Sequence, residues 1–115
     1  MLTFISKNGR TILVGQNARE NDRITFSLAK PKDIWFHVKG LPGAHVILVN
    51  DVDNSTLLEN DFGEAAQLAL QHSSIRAAGV GLVEVARTID VQKPRYARYG
   101  SVIVDSIIAT ISVKC

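Results

Sequence analysis

The sequence predicts an α+β fold with a mixed or antiparallel sheet of about six to seven short strands, built from hairpins, beside one main amphipathic helix and one short helix. Three observations predict it. Short runs rich in β-branched and aromatic residues are separated by turn dipeptides. One longer stretch places its apolar residues at helical spacing. A chain of 115 residues has room for one core, so we expect a single domain over residues 1–115.

The first elements are two strands at residues 2–6 and 11–14. They flank Asn8-Gly9, the dipeptide preferred in two-residue turns that need positive φ at both positions, so a hairpin is expected. A polar run from Gln16 then leads into apolar residues up to Ala29, which favours a short helix that closes before Pro31.

A second hairpin is expected from residues 33–38 and 45–49, which flank a Pro-Gly loop. Side chains alternate along a strand, so Asp33, Trp35 and His37 share one face while Ile34 and Phe36 share the buried one. In a hairpin centred on Leu41, His37 and His45 lie directly opposite each other. The sequence therefore predicts a polar-aromatic patch opposite the buried face.

The main helix is expected over residues 62–73, where Asp61 and Glu64 have capping-box spacing. Three further strands follow, at residues 80–88, 101–104 and 107–113. Two loops are expected, at residues 50–60 and 89–100.

Composition excludes several classes of protein. Hydrophobic residues make up 46% of the chain and charged residues 21%, as in an ordinary globular domain. The lone Cys115 forms no intramolecular disulfide and no thiolate metal cluster. The chain shows neither a signal-peptide pattern nor an apolar run long enough for a membrane span, so a cytoplasmic protein without a cofactor or membrane partner is expected.

The net charge of +2 is too small to diagnose a nucleic-acid binder, but its distribution is uneven. Residues 1–45 carry seven basic and three acidic side chains, residues 46–75 none and five, and residues 76–115 six and three. Both ends are basic and the middle is acidic.

Three interpretations of the patch compete. In the first it is structural: Asp33 caps a turn, the histidines satisfy local backbone groups and Trp35 packs under a loop. In the second, two imidazoles and a carboxylate form a metal or catalytic site. In the third it is a nucleic-acid surface, where the indole stacks on a base and imidazoles contact phosphate or 2′-OH groups.

A basic rim for such a surface is available in residues 87–99, which hold four basic side chains, two tyrosines and one acid. Basic residues interleaved with aromatic ones suit RNA, although a charged stretch of this kind is also typical of a solvated loop.

The sequence resembles the NFACT RNA-binding domain over residues 1–113. The resemblance is carried by Asp33-Ile-Trp-Phe-His37 and Leu41-Pro-Gly-Ala-His-Val-Ile47, supported by Gly15-Gln-Asn17, Asn21-Asp22 and Lys93-Pro94. Larger proteins of this family bind stalled large ribosomal subunits and tRNA and support tailing of the nascent chain in ribosome-associated quality control.

The resemblance implies a module that binds structured RNA, tRNA or rRNA, on or near the large ribosomal subunit, without catalysis of its own. The candidate RNA-binding residues are Asn17, Asp33, Trp35, His37, His45, Arg87, Lys93, Arg95 and Arg98. Two alternatives stay open: a protein-interaction module anchored by Trp35, and a small metal-dependent enzyme that uses the Asp/His cluster. The sequence leaves the RNA species and the oligomeric state undetermined.

Overall fold

The fold is an α+β arrangement around one six-stranded antiparallel sheet, as predicted. The computed structural model describes residues 1–51 and 59–114. The sheet has the order β1-β2-β4-β3-β5-β8, and β6 and β7 form a separate two-stranded sheet. The strands are β1 Leu2–Ile5, β2 Thr11–Val14, β3 Ile34–Val38, β4 Val46–Leu48, β5 Val80–Arg87, β6 Val91–Gln92, β7 Ile103–Val104 and β8 Ala109–Lys114. Helix α1 covers Ala18–Arg23 and continues into a π-helical turn at Ile24–Leu28, and α2 covers Phe62–Gln71.

The first hairpin forms as predicted, but its turn is of another type. Gly9 N–H donates to the carbonyl of Ser6 at 2.9 Å, and Ser6 N–H donates to the carbonyl of Arg10 at 2.8 Å. Gly9 has φ +85°, whereas Asn8 does not have positive φ. This is a three-residue loop in which a turn is followed by a left-handed glycine, so the expectation of positive φ at both turn positions is wrong.

The second hairpin has the predicted register. Trp35 pairs with Ile47 and Phe36 with Val46, which centres the hairpin on Leu41. Ile34 and Phe36 face α2, whose residues Ala65, Ala66, Ala69 and Leu70 are buried against the sheet. This is the larger of two apolar cores.

Asp61 does not cap α2 as the capping-box spacing suggested. Its side chain forms no cap hydrogen bond. It is fully buried instead, with Oδ2 3.0 Å from Nε of Arg10 and Oδ1 accepting a hydrogen bond from the Asn8 amide at 3.1 Å. Glu64 accepts from the backbone N–H of Lys7 at 3.1 Å. The two carboxylates therefore fasten the β1–β2 turn to the start of α2.

A second layer covers the opposite face of the sheet. Ile24 of the π-helical turn and Val91 of β6 pack with Trp35, Ile47 and Ala86 in a separate core. The second layer thus covers most of the predicted polar-aromatic patch, and Trp35 packs beneath it as the first interpretation has it, so the indole is not exposed for stacking on a base. Alternation along a strand says which side chains share a face, but it does not say what packs on that face.

Two loops were expected, at residues 50–60 and 89–100. Strand β6 lies within the expected loop 89–100, because two residues are too few to give a strand pattern. The loop expected at residues 50–60 lies mostly outside the described residues, and so does Cys115. Within residues 1–51 and 59–114, none of the helices has the length and apolar character needed to cross a membrane.

Candidate nucleic-acid interface

The ring cluster, formed by Trp35, His37 and His45, lies on the face of the sheet that the second layer covers. The rings of His37 and His45 lie edge to face with centroids 5.4 Å apart, as the hairpin register predicted. The indole of Trp35 stacks on His37 at 5.6 Å and meets the edge of His45 at 5.4 Å. Trp35 is 2% exposed and His45 1%, whereas His37 is half-buried. Of the three rings, only His37 is open to a ligand.

His45 is held as one neutral tautomer. Its Nε2 lies 3.2 Å from the carbonyl oxygen of Gly100, which only accepts, so Nε2 carries the proton. Nδ1 then accepts from the Thr25 hydroxyl at 2.9 Å. Burial, reinforced by the neighbouring His37, lowers the pKa of His45 to about 4. Burial also lowers the pKa of His37, so both imidazoles are neutral at pH 7.

Asp22 and Lys93 connect α1 to the segment after β6. Asp22 Oδ1 accepts from the backbone N–H of Gly100 at 2.8 Å, and its Oδ2 lies 2.9 Å from Nζ of Lys93. The ammonium of Lys93 also donates to the carbonyls of Arg98 and of Ser101, the latter at 2.9 Å. Lys93 therefore closes a backbone loop, and its ammonium is engaged by partners within the protein rather than directed at a phosphate.

The segment that Lys93 closes, residues 94–101, is called the basic loop. Backbone bonds from Ala97 to Pro94 and from Ser101 to Arg98 tighten it. Arg95 and Arg98 are exposed, and neither forms an ion pair with an acidic residue of the described ranges. Tyr96 is 91% exposed, with the Arg95 guanidinium 5.3 Å from its ring centroid. The loop thus presents two exposed cations on a backbone that is held by internal hydrogen bonds.

Three other candidate residues have structural partners. Asp33 is buried and caps two turns, because its carboxylate accepts from the backbone N–H groups of Lys30 and Asn50, each at 2.8 Å. Asn17 is the N-cap of α1 and accepts from the N–H of Glu20 at 2.8 Å. Arg87 is exposed but pairs with Asp90 at 3.1 Å.

A groove of about 700 Å³ runs beside the basic loop. One wall consists of residues 41–44 with His72, Ser73 and Arg76, and the other consists of residues 15–18 with Asn21 and residues 99–101. His37 also lines it, which connects the groove to the ring cluster. The structure thus brings Asn17 and His37 to one groove, with Arg95 and Arg98 on the adjoining loop.

Arg76 and Tyr99 also line the groove, and the sequence did not single out either as a site residue. Arg76 follows the main helix, where an isolated arginine carries no local signal. Tyr99 belongs to the basic-aromatic stretch, whose two tyrosines were the available clue.

The metal alternative finds no support among the residues that the structure describes. Among residues 1–51 and 59–114, no three His, Cys, Asp or Glu side chains are grouped closely enough to hold an ion. The carboxylate of Asp33 is engaged with backbone amides, and the imidazole nitrogens of His45 are engaged with Thr25 and Gly100.

Comparison with known proteins gives consistent matches. Residues 1–103 match the family model described as NFACT protein RNA binding domain. The chain is 35% identical over 100 residues to the Rqc2 homolog RqcH of Streptococcus suis and 36% identical over 105 residues to that of Bacillus subtilis. These alignments cover 86% and 90% of the chain but 18% of each relative, so the chain spans about a fifth of their length.

A solved structure shares the fold. The C-terminal part of the fibronectin/fibrinogen-binding protein of Streptococcus suis superposes with a TM-score of 0.85 at 31% identity. The match covers 97% of this chain and 44% of that one.

Proposed function

The chain belongs to the NFACT RNA-binding domain family, and from this premise we propose that it binds structured RNA through the groove and the basic loop. The observation that carries the proposal is a pair of exposed cations, Arg95 and Arg98, which form no ion pair within residues 1–51 and 59–114 and lie on a loop that Lys93 and Asp22 hold beside the groove. Two guanidinium groups on a loop that is already ordered neutralise phosphates without the cost of ordering that loop on binding.

The residues of the site divide into two roles under this proposal. Arg95, Arg98 and the open side of His37 contact the RNA. Four other candidates support those residues from inside the protein, because each is buried or has its polar atoms engaged within the protein. They are Trp35, His45, Asp33 and Lys93.

We assign the RNA to tRNA or rRNA and the setting to ribosome-associated quality control, on the large ribosomal subunit. The relatives bear the name Rqc2 homolog, and the chain corresponds to a fifth of their length. For this chain we therefore propose the RNA-binding part of the relatives' activity, and not the activity of the whole proteins.

Phosphate contacts make a measurable prediction about salt. Log K for RNA binding falls as log salt concentration rises, and each neutralised phosphate makes this fall steeper by about 0.7 to 0.9. Replacing Arg95 and Arg98 with glutamine should therefore make the fall for tRNA shallower by about 1.4 to 1.8 and weaken binding at low salt. A filter-binding titration at several salt concentrations measures both quantities.

A matched control removes two charges elsewhere. Lys7 and Lys114 are exposed and line a different cavity, so their double replacement with glutamine should leave the slope unchanged. Equal slopes for the arginine variant and the original chain would overturn the assigned surface. A folded protein that binds no RNA at low salt, but retains a protein partner after nuclease treatment, would overturn RNA binding itself.

A further inference from the structure

We propose that the groove binds an unpaired nucleotide, such as a base in a loop or at a strand end, rather than the surface of a duplex. This inference rests on the proposed function, because it assumes that RNA is the ligand. It adds which structural class of RNA the site selects.

The first wall of the groove is fixed by backbone pairing. Ala44 N–H donates to the carbonyl of His72 at 2.9 Å, and Ser74 N–H donates to that of Pro42 at 3.0 Å. Gly43 forms a bridge with Ser73, and a Cβ at Gly43 would lie 3.0 Å from the Ser73 Cβ. Because no side chain fits between them, the wall has one closely packed arrangement.

The second wall is fixed by side chains. Asp22 ties α1 to Gly100 at 2.8 Å, and the imidazole of His45 holds the Gly100 carbonyl at 3.2 Å. A Cβ at Gly15 would lie 2.0 Å from Oδ1 of Asn21, the atom that accepts from the N–H of His45. The groove therefore exists before any ligand arrives, as small-molecule sites usually do.

The lining combines flat rings with a single permanent charge. Tyr99 is 61% exposed, and His37 contributes the outer part of a ring that is neutral at pH 7. Arg76 is the one permanently charged side chain among the described lining residues, and none of them is an aspartate or glutamate. Rings that stack on a base, next to one cation for its phosphate, form the lining expected for a nucleotide.

Shape decides between unpaired and paired RNA. The groove volume of about 700 Å³ lies within the range of pockets that enclose a small ligand. An RNA duplex presents its phosphates and shallow minor groove to protein surfaces, and it is too wide to enter a groove of this size. Single-stranded loops and ends have bases that can turn out and stack on aromatic side chains. A concave site with a ring in its wall therefore selects them.

The test compares two RNAs that share one stem: a hairpin with an unpaired loop, and the same stem as a blunt duplex. The original chain should bind the hairpin more tightly. Tyr99→Ala should weaken hairpin binding roughly tenfold, which corresponds to the loss of one stacked base, and should leave duplex binding unchanged. The ratio of the two affinities, measured by fluorescence anisotropy, is the readout.

Tyr96→Ala supplies the control, because Tyr96 is more exposed than Tyr99 and does not line the groove. It should leave the hairpin-to-duplex ratio unchanged, even if the loss of its ring from Arg95 weakens both complexes. Equal affinities for hairpin and duplex, or the same ratio for the two alanine variants, would overturn the inference while leaving RNA binding intact. No binding of either RNA would overturn the proposed function as well.

Discussion

Replacing Asp61 with asparagine is expected to lower the free energy of unfolding by about 3 to 5 kcal/mol. Asp61 is fully buried, with Oδ2 3.0 Å from Nε of Arg10, which is 4% exposed. The substitution keeps the shape of the side chain but removes the buried charge that lies 3.0 Å from Nε of Arg10. Urea unfolding monitored by circular dichroism measures the change.

Two comparison variants isolate the buried charge pair. Asp51 also lies near Arg10, at 3.9 Å, but its side chain is 65% exposed, so Asp51→Asn should cost less than about 1 kcal/mol. Replacing Arg10 with methionine and Asp61 with leucine together removes both charges, and should recover most of the stability that Asp61→Asn loses. Equal costs for Asp51→Asn and Asp61→Asn would contradict the role given to the buried pair.

Lowering the pH from 7 to 4 is expected to destabilise the fold through His45 by about 3 kcal/mol. Its pKa is about 4 in the folded chain against 6.5 for the free side chain. Between these values the unfolded chain binds a proton that the folded chain does not, so stability falls as the pH falls through this window. The lowered pKa of His37 acts in the same direction.

His45→Gln separates this contribution from the carboxylates, which also take up protons in acid. The glutamine amide retains a donor for the Gly100 carbonyl and an acceptor for the Thr25 hydroxyl, but it does not titrate. The loss of unfolding free energy between pH 7 and 4 should be smaller in this variant by about 3 kcal/mol. Parallel profiles for His45→Gln and the original chain would show that His45 titrates normally.

The hairpin of β3 and β4 shows how far the sequence reaches. Period-two alternation and a Pro-Gly loop were enough to place His37 opposite His45, and the rings lie 5.4 Å apart. The spacing of Ala65, Ala66 and Ala69 was enough to find the main helix. Both features are local patterns, and local patterns are what a single sequence records.

The largest differences concern contacts between distant segments, which local patterns do not record. The sequence left open whether Trp35 packs under a loop or stacks on a base, because nothing in its own strand shows that Ile24 and Val91 cover it. Lys93 was expected to meet phosphate because its partner Asp22 lies on another element, far away in the chain. Asp61 was expected to cap its helix, but Arg10 of the first hairpin attracts its carboxylate instead. The family resemblance supplied the candidate residues, and the fold decided which of them are exposed.

The most direct test of the central claim is to map a bound RNA on the domain by the shifts of backbone amide resonances during a tRNA titration. Shifts are expected in the basic loop, residues 94–101, and in both walls of the groove, including residues 15–18, 41–44 and 72–73, whereas residues 7–9 and 111–114 should be unaffected. Shifts confined to residues 7–9 and 111–114, with the groove and basic loop unchanged, would contradict it.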